Sequence, residues 1–422
     1  MSQTTQPSPF AVFRNRSFAL MWTGQLVSTI GDALTALTAG ILVYRLTGSA
    51  LSVGLMLMAT SLPSLIFGLF GGVIADRYDR KRILVLSCFV QAGFVALIPL
   101  LIPFGLVWLY LLVGFSSCAR QFYSPAYESV LPELATDEEL AAANALMSIS
   151  TVGSTAVGYA AAGLLAAQFE LGWIFLLDAL TFIFAGVCLL GITVKKLGNT
   201  EETNLAMVVR NMRKGLGYLF SHRVLRAVLT IGLGIGFASG VLNTLTLPFT
   251  ITVLDASETV FGVQEALTSV GFVLGSFMMA SFGNRLSERN WMGLSITSLG
   301  LAALLYTFTN TVTLAVLFFA VVGFFNAPAI IAIRLLFQRK TPAELRGRVI
   351  GAYFVGIEGS LVVGMGVGGL ADVFGIRVIL AFAALLTLLM GLLAALLPGL
   401  RSEKESEGGR EADATAALEP EG

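Results

Sequence analysis

The sequence has little charge and almost no histidine. Only 12% of its 422 residues are charged, about half the fraction that is usual in soluble globular proteins. Its single histidine is His222, and its cysteines, Cys88, Cys118 and Cys188, lack the spacing of metal ligands. We therefore expect no metal site, no cofactor and no Ser-His-Asp triad within the apolar segments. A Walker motif is also missing, so ATP does not drive the protein directly, and we predict that the protein is not an enzyme.

Apolar residues, in contrast, are abundant. They make up 56% of the chain, and the mean hydropathy is +0.84. A helix needs about 20 apolar residues to cross a bilayer, and the alternating strands of a membrane barrel are absent, so helices are the remaining way to span it. Twelve suitable segments follow one another: 18–44, 50–75, 83–102, 105–127, 139–167, 171–194, 224–252, 259–282, 290–309, 312–336, 348–371 and 376–398.

Basic residues are concentrated between alternate segments. They precede segment one, follow segment two, and lie between segments six and seven and between ten and eleven, whereas on the other side only Arg45 and Arg377 lie near a segment end. Cationic loops mark the cytoplasmic side of a membrane protein. We therefore predict a multi-pass protein of a bacterial cytoplasmic membrane with both termini in the cytoplasm. We expect no cleavable signal peptide.

The stretch between segments six and seven divides the chain, because it is polar and basic. We predict a six-helix bundle over 1–194, a cytoplasmic linker over 195–222 and a second six-helix bundle over 223–400. Residues 401–422 are rich in Glu, Ala and Gly without apolar periodicity, so we predict a disordered cytoplasmic tail.

A charged motif between segments two and three indicates that the two halves are related. Residues 72–84 read GVIADRYDRKRIL, and 283–289, after segment eight, read GNRLSER, with Asn284 in the place of Asp76. The first copy resembles the loop signature of the major facilitator superfamily, G-x-L-A-D-R-x-G-R-[RK]-x-x-L, with Asp79 in place of the central Gly. The resemblance implies an all-α membrane fold of twelve transmembrane helices in two pseudo-symmetric six-helix bundles.

The same resemblance implies a conformational latch. In the superfamily the motif's Asp, here Asp76, meets the positive N-terminal end of segment eleven and holds the cytoplasmic side closed in the outward-open state. The alternative is that the motif only sets the topology. The predicted latch residues are Gly72, Asp76, Arg77, Arg80 and Lys81.

Glycine pairs suggest where the two halves meet. In the superfamily, segments two, five, eight and eleven contact one another across the halves, and glycines four residues apart let helix backbones approach closely. We interpret three pairs as cross-half contacts, although 45 glycines also make chance matches common. The pairs are Gly68 and Gly72, Gly271 and Gly275, and Gly364 and Gly368.

Asp32 is the clearest candidate for a functional charge. A charge in the middle of a membrane costs about 2.5–3.5 kcal/mol, so it needs a reason to be there. Asp32 shares one helix face with Gln25, Ser28, Thr29 and Thr35, at spacings of three and four residues. We interpret it as a carboxylate that binds and releases protons in a central cavity. The alternative is a structural carboxylate that caps or pairs with a neighbouring helix.

Further charged residues extend the candidate site. Glu358 and Asp178 are the other predicted proton-coupling residues, and Arg120, in segment four, is the expected counter-charge. The alternative for Arg120 is a structural pair with Asp32 or Glu128. The alternative for Asp178 and Glu265 is that they lie near the outer membrane interface, where water solvates them. We expect Asp372 at the surface. The predicted substrate cavity comprises Gln25, Arg120, Tyr123, Tyr127, Asn144, Ser148, Asn243, Gln264, Glu265, Asn326 and Tyr353.

Within the superfamily, the chain looks most like the twelve-segment exporters that include macrolide-efflux and enterobactin-exporter proteins. The similarity rests on Gly31-Asp32, on 45–50 (RLTGSA) and on 140–146 (LAAANAL), while Tyr159 replaces the Pro of the antiporter signature G-P-x-x-G-G. It implies a secondary active transporter that exports an amphipathic drug, macrolide or siderophore by alternating access, coupled to protons. A lysophospholipid flippase or an importer is the alternative, and a non-transporting receptor a remote one. The expected partners are the lipid bilayer, a small-molecule substrate and protons, without nucleic acid, and we expect a monomer.

Overall fold

The structure, a computed structural model, describes residues 11–136, 138–194 and 205–396. The predicted tail and residues 195–204 of the predicted linker lie outside these ranges. The described ranges fold into α-helices joined by short loops. These helices are α1 Arg16–Thr47, α2 Ala50–Arg77, α3 Arg80–Leu101, α4 Val107–Leu134, α5 Leu140–Gln168, α6 Leu171–Leu190, α7 Leu205–Ser221, α8 Arg223–Pro248, α9 Glu258–Phe282, α10 Glu288–Phe308, α11 Val312–Lys340, α12 Ala343–Gly368, α13 Ala371–Phe374 and α14 Ile376–Leu396.

Eleven of the described helical stretches are long and apolar enough to cross a membrane. The remaining one of the twelve predicted segments is segment four, which corresponds to α4. This helix has 28 residues and packs between α2 and α3. Such a helix is about 42 Å long, which is enough to span a bilayer. The mean hydropathy of α4 is lowered by its three charged residues, Arg120, Glu128 and Glu133.

Local chemistry explains the helix ends at the charged motif. α2 ends at Arg77, Tyr78 is extended, and α3 begins at Arg80. The side chain of Asp79 accepts a hydrogen bond from the backbone N–H of Arg82 at 3.1 Å and so caps α3. The Asp that replaces the family's Gly therefore has a structural role at the start of the next helix.

The spanning helices pack in two groups of six. In the first, α1 packs on α5 and α6, α2 packs on α4, and α3 packs on α4 and α6. In the second, α8 packs on α12 and α14, α9 packs on α11, and α10 packs on α11 and α14. The main contacts between the groups are α2 with α12 and α5 with α9. These are segments two and eleven, and five and eight, as the resemblance implied.

The glycines that serve these cross-half contacts differ from the predicted pairs. Gly271 packs against the α11 backbone and Gly364 against the α8 backbone, each within the second half, and no atom lies within 4 Å of a Cβ added to Gly72. The interpretation of the three pairs as cross-half contacts is therefore wrong. Segment five also offers Gly153, Gly158 and Gly163 for such contacts, and of these Gly163 makes the close approach: an added Cβ would lie 2.9 Å from the Cα of Gly262.

The two halves separate toward one end of the bundle. We name the end with the α2–α3 loop and α7 the basic end, and the other the opposite end. Several cross-half hydrogen bonds lie at the opposite end, for example from Thr259 to the Gly163 carbonyl at 3.1 Å. Toward the basic end, the same face of α5 is exposed at Asn144 and Ser148. The central cavity therefore opens toward the basic end.

Candidate functional site

Several charged side chains of the membrane helices surround a cavity of about 350 Å³, which we name the first cavity. It lies among α1, α2, α3, α4, α6 and α12. Four charged residues line it: Asp32, Arg120, Asp178 and Glu358. The structure thus brings together the three predicted proton-coupling residues and the predicted counter-charge, from both halves of the chain.

Asp32 and Arg120 form an ion pair in the first cavity. The Arg120 Nη1 and Asp32 Oδ1 atoms are 3.6 Å apart, and the Arg120 side chain is 53% exposed while that of Asp32 is 24% exposed. The distance is too long for a good hydrogen bond. Arg120 therefore remains accessible from the cavity while its charge compensates that of Asp32.

Asp178 lies deeper, between α1 and α6, and is only 1% exposed. Thr35 donates a hydrogen bond to its Oδ2 at 2.5 Å, and Thr181 donates to its Oδ1 at 3.0 Å. A Cβ added to Gly31 would lie 3.1 Å from Asp178 Cγ, so glycine makes room for this carboxyl group. The alternative of a solvated Asp178 at the membrane interface is therefore wrong.

A polar chain runs from the first cavity toward the basic end. Tyr123 donates a hydrogen bond to Gln25 Oε1 at 2.8 Å, and Gln25 Nε2 donates to Thr29 at 3.0 Å. The rings of Tyr123 and Tyr127 stack with centroids 5.6 Å apart. These side chains line a small cavity of about 120 Å³ next to Asp32 and Arg120. The predicted residues Gln25, Tyr123 and Tyr127 thus form one group around the ion pair.

A second cavity, of about 200 Å³, lies between the halves on the side toward the opposite end. Tyr159, Asn243, Thr246 and Glu265 supply its polar lining. The first and second cavities share Ala36, Met56 and Leu57 as wall residues, so they are neighbouring chambers.

Five predicted cavity residues are not among the lining residues of the described cavities. Asn144 and Ser148 are exposed on α5 toward the basic end. Gln264 is fully buried, and its Nε2 donates to Tyr306 Oη at 3.4 Å, because this face of α9 points into its own half. Tyr353 is 5% exposed and packs on Phe337 with ring centroids 4.6 Å apart, in the core of the second half. Asn326, half-buried on α11, is not among the lining residues of the described cavities.

The sequence prediction missed several lining residues of the first cavity. Gln91 and Gln121 lie there, as do Ser61 and Ser64. Their signal was present, since Gln91 is a polar residue in the middle of an apolar segment and Ser61 and Ser64 are three residues apart. Neutral polar residues are more common than charged ones in these segments, so their presence alone does not identify which of them line the cavity.

Two basic residues of the charged motif, Arg80 and Lys81, bind partners within their own half. Arg80 forms an ion pair with Glu133 at the end of α4. Lys81 donates hydrogen bonds to the carbonyl oxygens of Leu190 and Ile192 at the end of α6, both at 2.7 Å. The side chain of Asp76 is not among those that the structure describes, so the latch stays a prediction.

Charged residues make two further cross-half contacts at the opposite end. Arg45 binds Glu258 through Nε at 2.6 Å and Nη2 at 2.8 Å, and so links α1 to α9. The Asp372 carboxylate accepts hydrogen bonds at the start of α2 from Ser49 Oγ at 2.6 Å, from Ala50 N at 2.8 Å and from Leu51 N at 3.1 Å. Asp372 is exposed, as predicted, and it also caps the start of α2 across the two halves.

Comparisons with known proteins agree on one kind of protein. A family model described as transmembrane secretion effector matches residues 7–416. Macrolide efflux protein A from Streptococcus pyogenes is 28% identical over 346 residues, which cover 79% of this chain and 83% of that protein. The multidrug efflux pump Tap from Mycolicibacterium fortuitum is 28% identical over 403 residues, which cover 89% of this chain and 94% of that protein.

Solved structures show the same fold. A bacterial homolog of the human lysosomal transporter Spinster covers 91% of this chain and 96% of its own, with a TM-score of 0.71 and 13% identity. The nucleoside transporter NupG covers 90% and 98%, with a TM-score of 0.75 and 13% identity. The predicted major facilitator fold is thereby confirmed, and at these identities the likeness is one of fold alone.

Proposed function

Because the chain belongs to the transmembrane secretion effector family, we propose that it exports amphipathic small molecules in exchange for protons. Its family and relatives are membrane transporters, so the chain is a multi-pass transporter of small molecules and not an enzyme. The efflux functions named for the relatives support the direction and the substrate class. In this proposal the basic end faces the bacterial cytoplasm, with both termini on that side.

The observation that carries the coupling proposal is the ion pair of Asp32 and Arg120 in the first cavity. A proton on Asp32 removes the charge that attracts Arg120, and the attraction between the two groups is then lost. Arg120 becomes free to move or to contact a substrate. Protonation at one atom can thus change the charge and the shape of the cavity together.

Two more carboxyl groups extend this effect to the rest of the molecule. Thr35 lies one helical turn from Asp32 and donates to Asp178, which connects α1 with α6. Glu358 brings a carboxyl group of the second half to the same cavity. The charge state of the first cavity therefore affects how closely the halves approach each other, which supports alternating access.

Exchange follows if proton and substrate exclude each other. Deprotonated Asp32 suits the substrate-loaded carrier, and protonated Asp32 suits the empty return step, because each form favours a different conformation. The proton gradient then drives export of the substrate. This scheme needs Asp32 to titrate and needs Glu358 only as a second site.

The test is proton movement in proteoliposomes with ethidium as the probe. We expect Asp32→Asn, which mimics the protonated form permanently, to abolish ethidium accumulation driven by a proton gradient while downhill exchange survives. Glu358→Gln should reduce accumulation less. A pH-sensitive dye in the lumen reports the protons, and the dye fluorescence of ethidium reports transport.

The matched control is Asp255→Asn, because Asp255 is an exposed acid in the loop between α8 and α9. Its variant should transport as the unmodified chain does. All variants must reach the membrane at equal abundance. Full proton coupling in Asp32→Asn would make Asp32 structural and overturn the proposal for this residue.

A further inference from the structure

The second cavity contains an acid without a partner. Glu265 lines it, and no ion pair or hydrogen bond to its carboxylate is formed by the part of the chain that the structure describes. By contrast, Arg45 meets Glu258, and Arg120 meets Asp32. An isolated carboxylate in a low-dielectric site is costly, so its charged form requires a cation from elsewhere.

The walls of the second cavity are mostly apolar. Leu37, Val53, Met56 and Phe261 line it, and each is at least nine-tenths buried. Such walls repel a hydrated metal ion but suit a cation that carries alkyl groups. The ring of Tyr159 adds an aromatic surface, which attracts organic cations.

The two cavities therefore differ in electrostatic character. The first cavity contains Arg120, whose positive charge lies beside the acids there. The lining of the second cavity has Glu265 as its charged residue and no basic side chain among the residues described. A cationic group is attracted to the second cavity without competition from a fixed positive charge.

Resting on the proposed export function, we infer that Glu265 is the counter-ion for a protonated amine of the substrate. The amine N–H donates to the Glu265 carboxylate, and the alkyl groups on nitrogen contact the apolar walls. The exposed Asn243 offers a second polar contact. The substrates of this transporter are thus amphipathic amines, with the amine in the second cavity and the rest of the molecule in the first.

The dimensions fit this division. A volume of about 200 Å³ is smaller than the roughly 300–1,000 Å³ of pockets that hold a whole drug-sized ligand. The first cavity adds about 350 Å³ through the shared wall residues Ala36, Met56 and Leu57. The second cavity therefore holds one functional group of a larger molecule. The proton site at Asp32 and the amine site at Glu265 are separate.

The test compares two fluorescent probes that differ only in charge. One is a dansylamide with a dimethylaminopropyl arm, and the other is its uncharged isostere with a 4-methylpentyl arm. We expect the purified protein to bind the amine about tenfold more tightly, because a charge-assisted hydrogen bond is gained. Glu265→Gln should remove this preference while binding of the isostere stays unchanged.

Asp255→Asn is the control, since Asp255 is an exposed acid that lines neither the first nor the second cavity. It should keep the amine preference, and Glu265→Asp should keep part of it. A preference that survives in Glu265→Gln, or disappears in Asp255→Asn, would overturn the inference. So would failure of the unmodified protein to bind the amine.

Export assays separate this inference from the proposed function. If both probes are exported with proton movement and Glu265→Gln leaves the amine preference intact, the inference fails and the function stands. If Glu265→Gln stops proton-coupled export of the uncharged isostere as well, Glu265 carries protons and the amine site is excluded. If neither probe nor ethidium moves protons in the unmodified protein, the proposed function itself fails.

Discussion

The two ends of the bundle use their charged residues differently. At the opposite end, Asp372 and the pair of Arg45 and Glu258 connect one half to the other. At the basic end, Arg80 and Lys81 bind partners in their own half. The difference explains why the cavity opens toward the basic end in this conformation, since the cross-half contacts hold the opposite end closed.

The proposed alternating access requires that these roles can be exchanged. To open the opposite end, the carrier would have to break the Asp372 cap and the Arg45 contact with Glu258. The compensating contact at the basic end is the predicted latch of Asp76. In this proposal, the equilibrium between two conformations is a competition between polar contacts at the two ends.

The largest expected effect on this equilibrium comes from Asp372→Asn. Asparagine can still cap a helix, but it lacks the negative charge that interacts with three donors. The conformation with the opposite end closed should therefore be destabilised by about 1–2 kcal/mol, which shifts the conformational equilibrium constant roughly 5–30-fold. With the native cysteines replaced, a cysteine at the buried Val53 reports opening of this end through its reaction with an impermeant maleimide. We expect faster reaction, and an unchanged rate would contradict the role of the cap.

Asp76→Asn should shift the equilibrium in the other direction. If Asp76 stabilises the N-terminal end of α12 when the basic end is closed, its loss favours the conformation seen here by about 0.3–1 kcal/mol. A cysteine at the exposed Ser148 should then react faster, with folding intact. If the cysteine at position 148 reacts equally fast with and without the Asp76→Asn change, the motif serves only as a topology signal.

The smallest effect on the equilibrium is expected from Arg80→Gln. Arg80 binds Glu133 within one half, so both conformations should keep the contact. We expect unchanged cysteine reactivity at Val53 and Ser148 and a loss of about 1 kcal/mol in stability, as for a partly exposed ion pair. Thermal unfolding in detergent measures the loss. A shift in reactivity would show that the pair breaks during transport.

Much of the candidate site was predictable because charge is rare in this chain. Asp32, Arg120, Asp178 and Glu358 stand out in apolar segments, and the structure places all four around one cavity. The neutral residues were harder to assign. Gln264 is a polar residue in an apolar segment, which is typical of a cavity residue, yet its side chain faces Tyr306 in the core. The sequence does not reveal this, because a small rotation of the helix decides which face meets the cavity.

The cross-half contacts show the same limit. Spacing identified glycine pairs but could not tell an intra-half neighbour from a cross-half one, so Gly271 and Gly364 were assigned wrongly while Gly163 and Gly262 make the contact. Asp372 was correctly predicted at the surface, but its capping role was not predictable, since its partners, Ser49 to Leu51, are far away in the sequence.

The sequence by itself determined the membrane class, the helical segments and the relation of the two halves, because hydrophobic length and charge placement are local properties that lipid enforces. Only the tertiary structure decided which acids have partners. Asp32 meets Arg120 across two helices, Asp178 accepts a hydrogen bond from Thr35, and Glu265 has neither kind of partner among the residues that the structure describes. Pairing depends on distances between helices that are remote in the chain, and helix packing alone sets those distances.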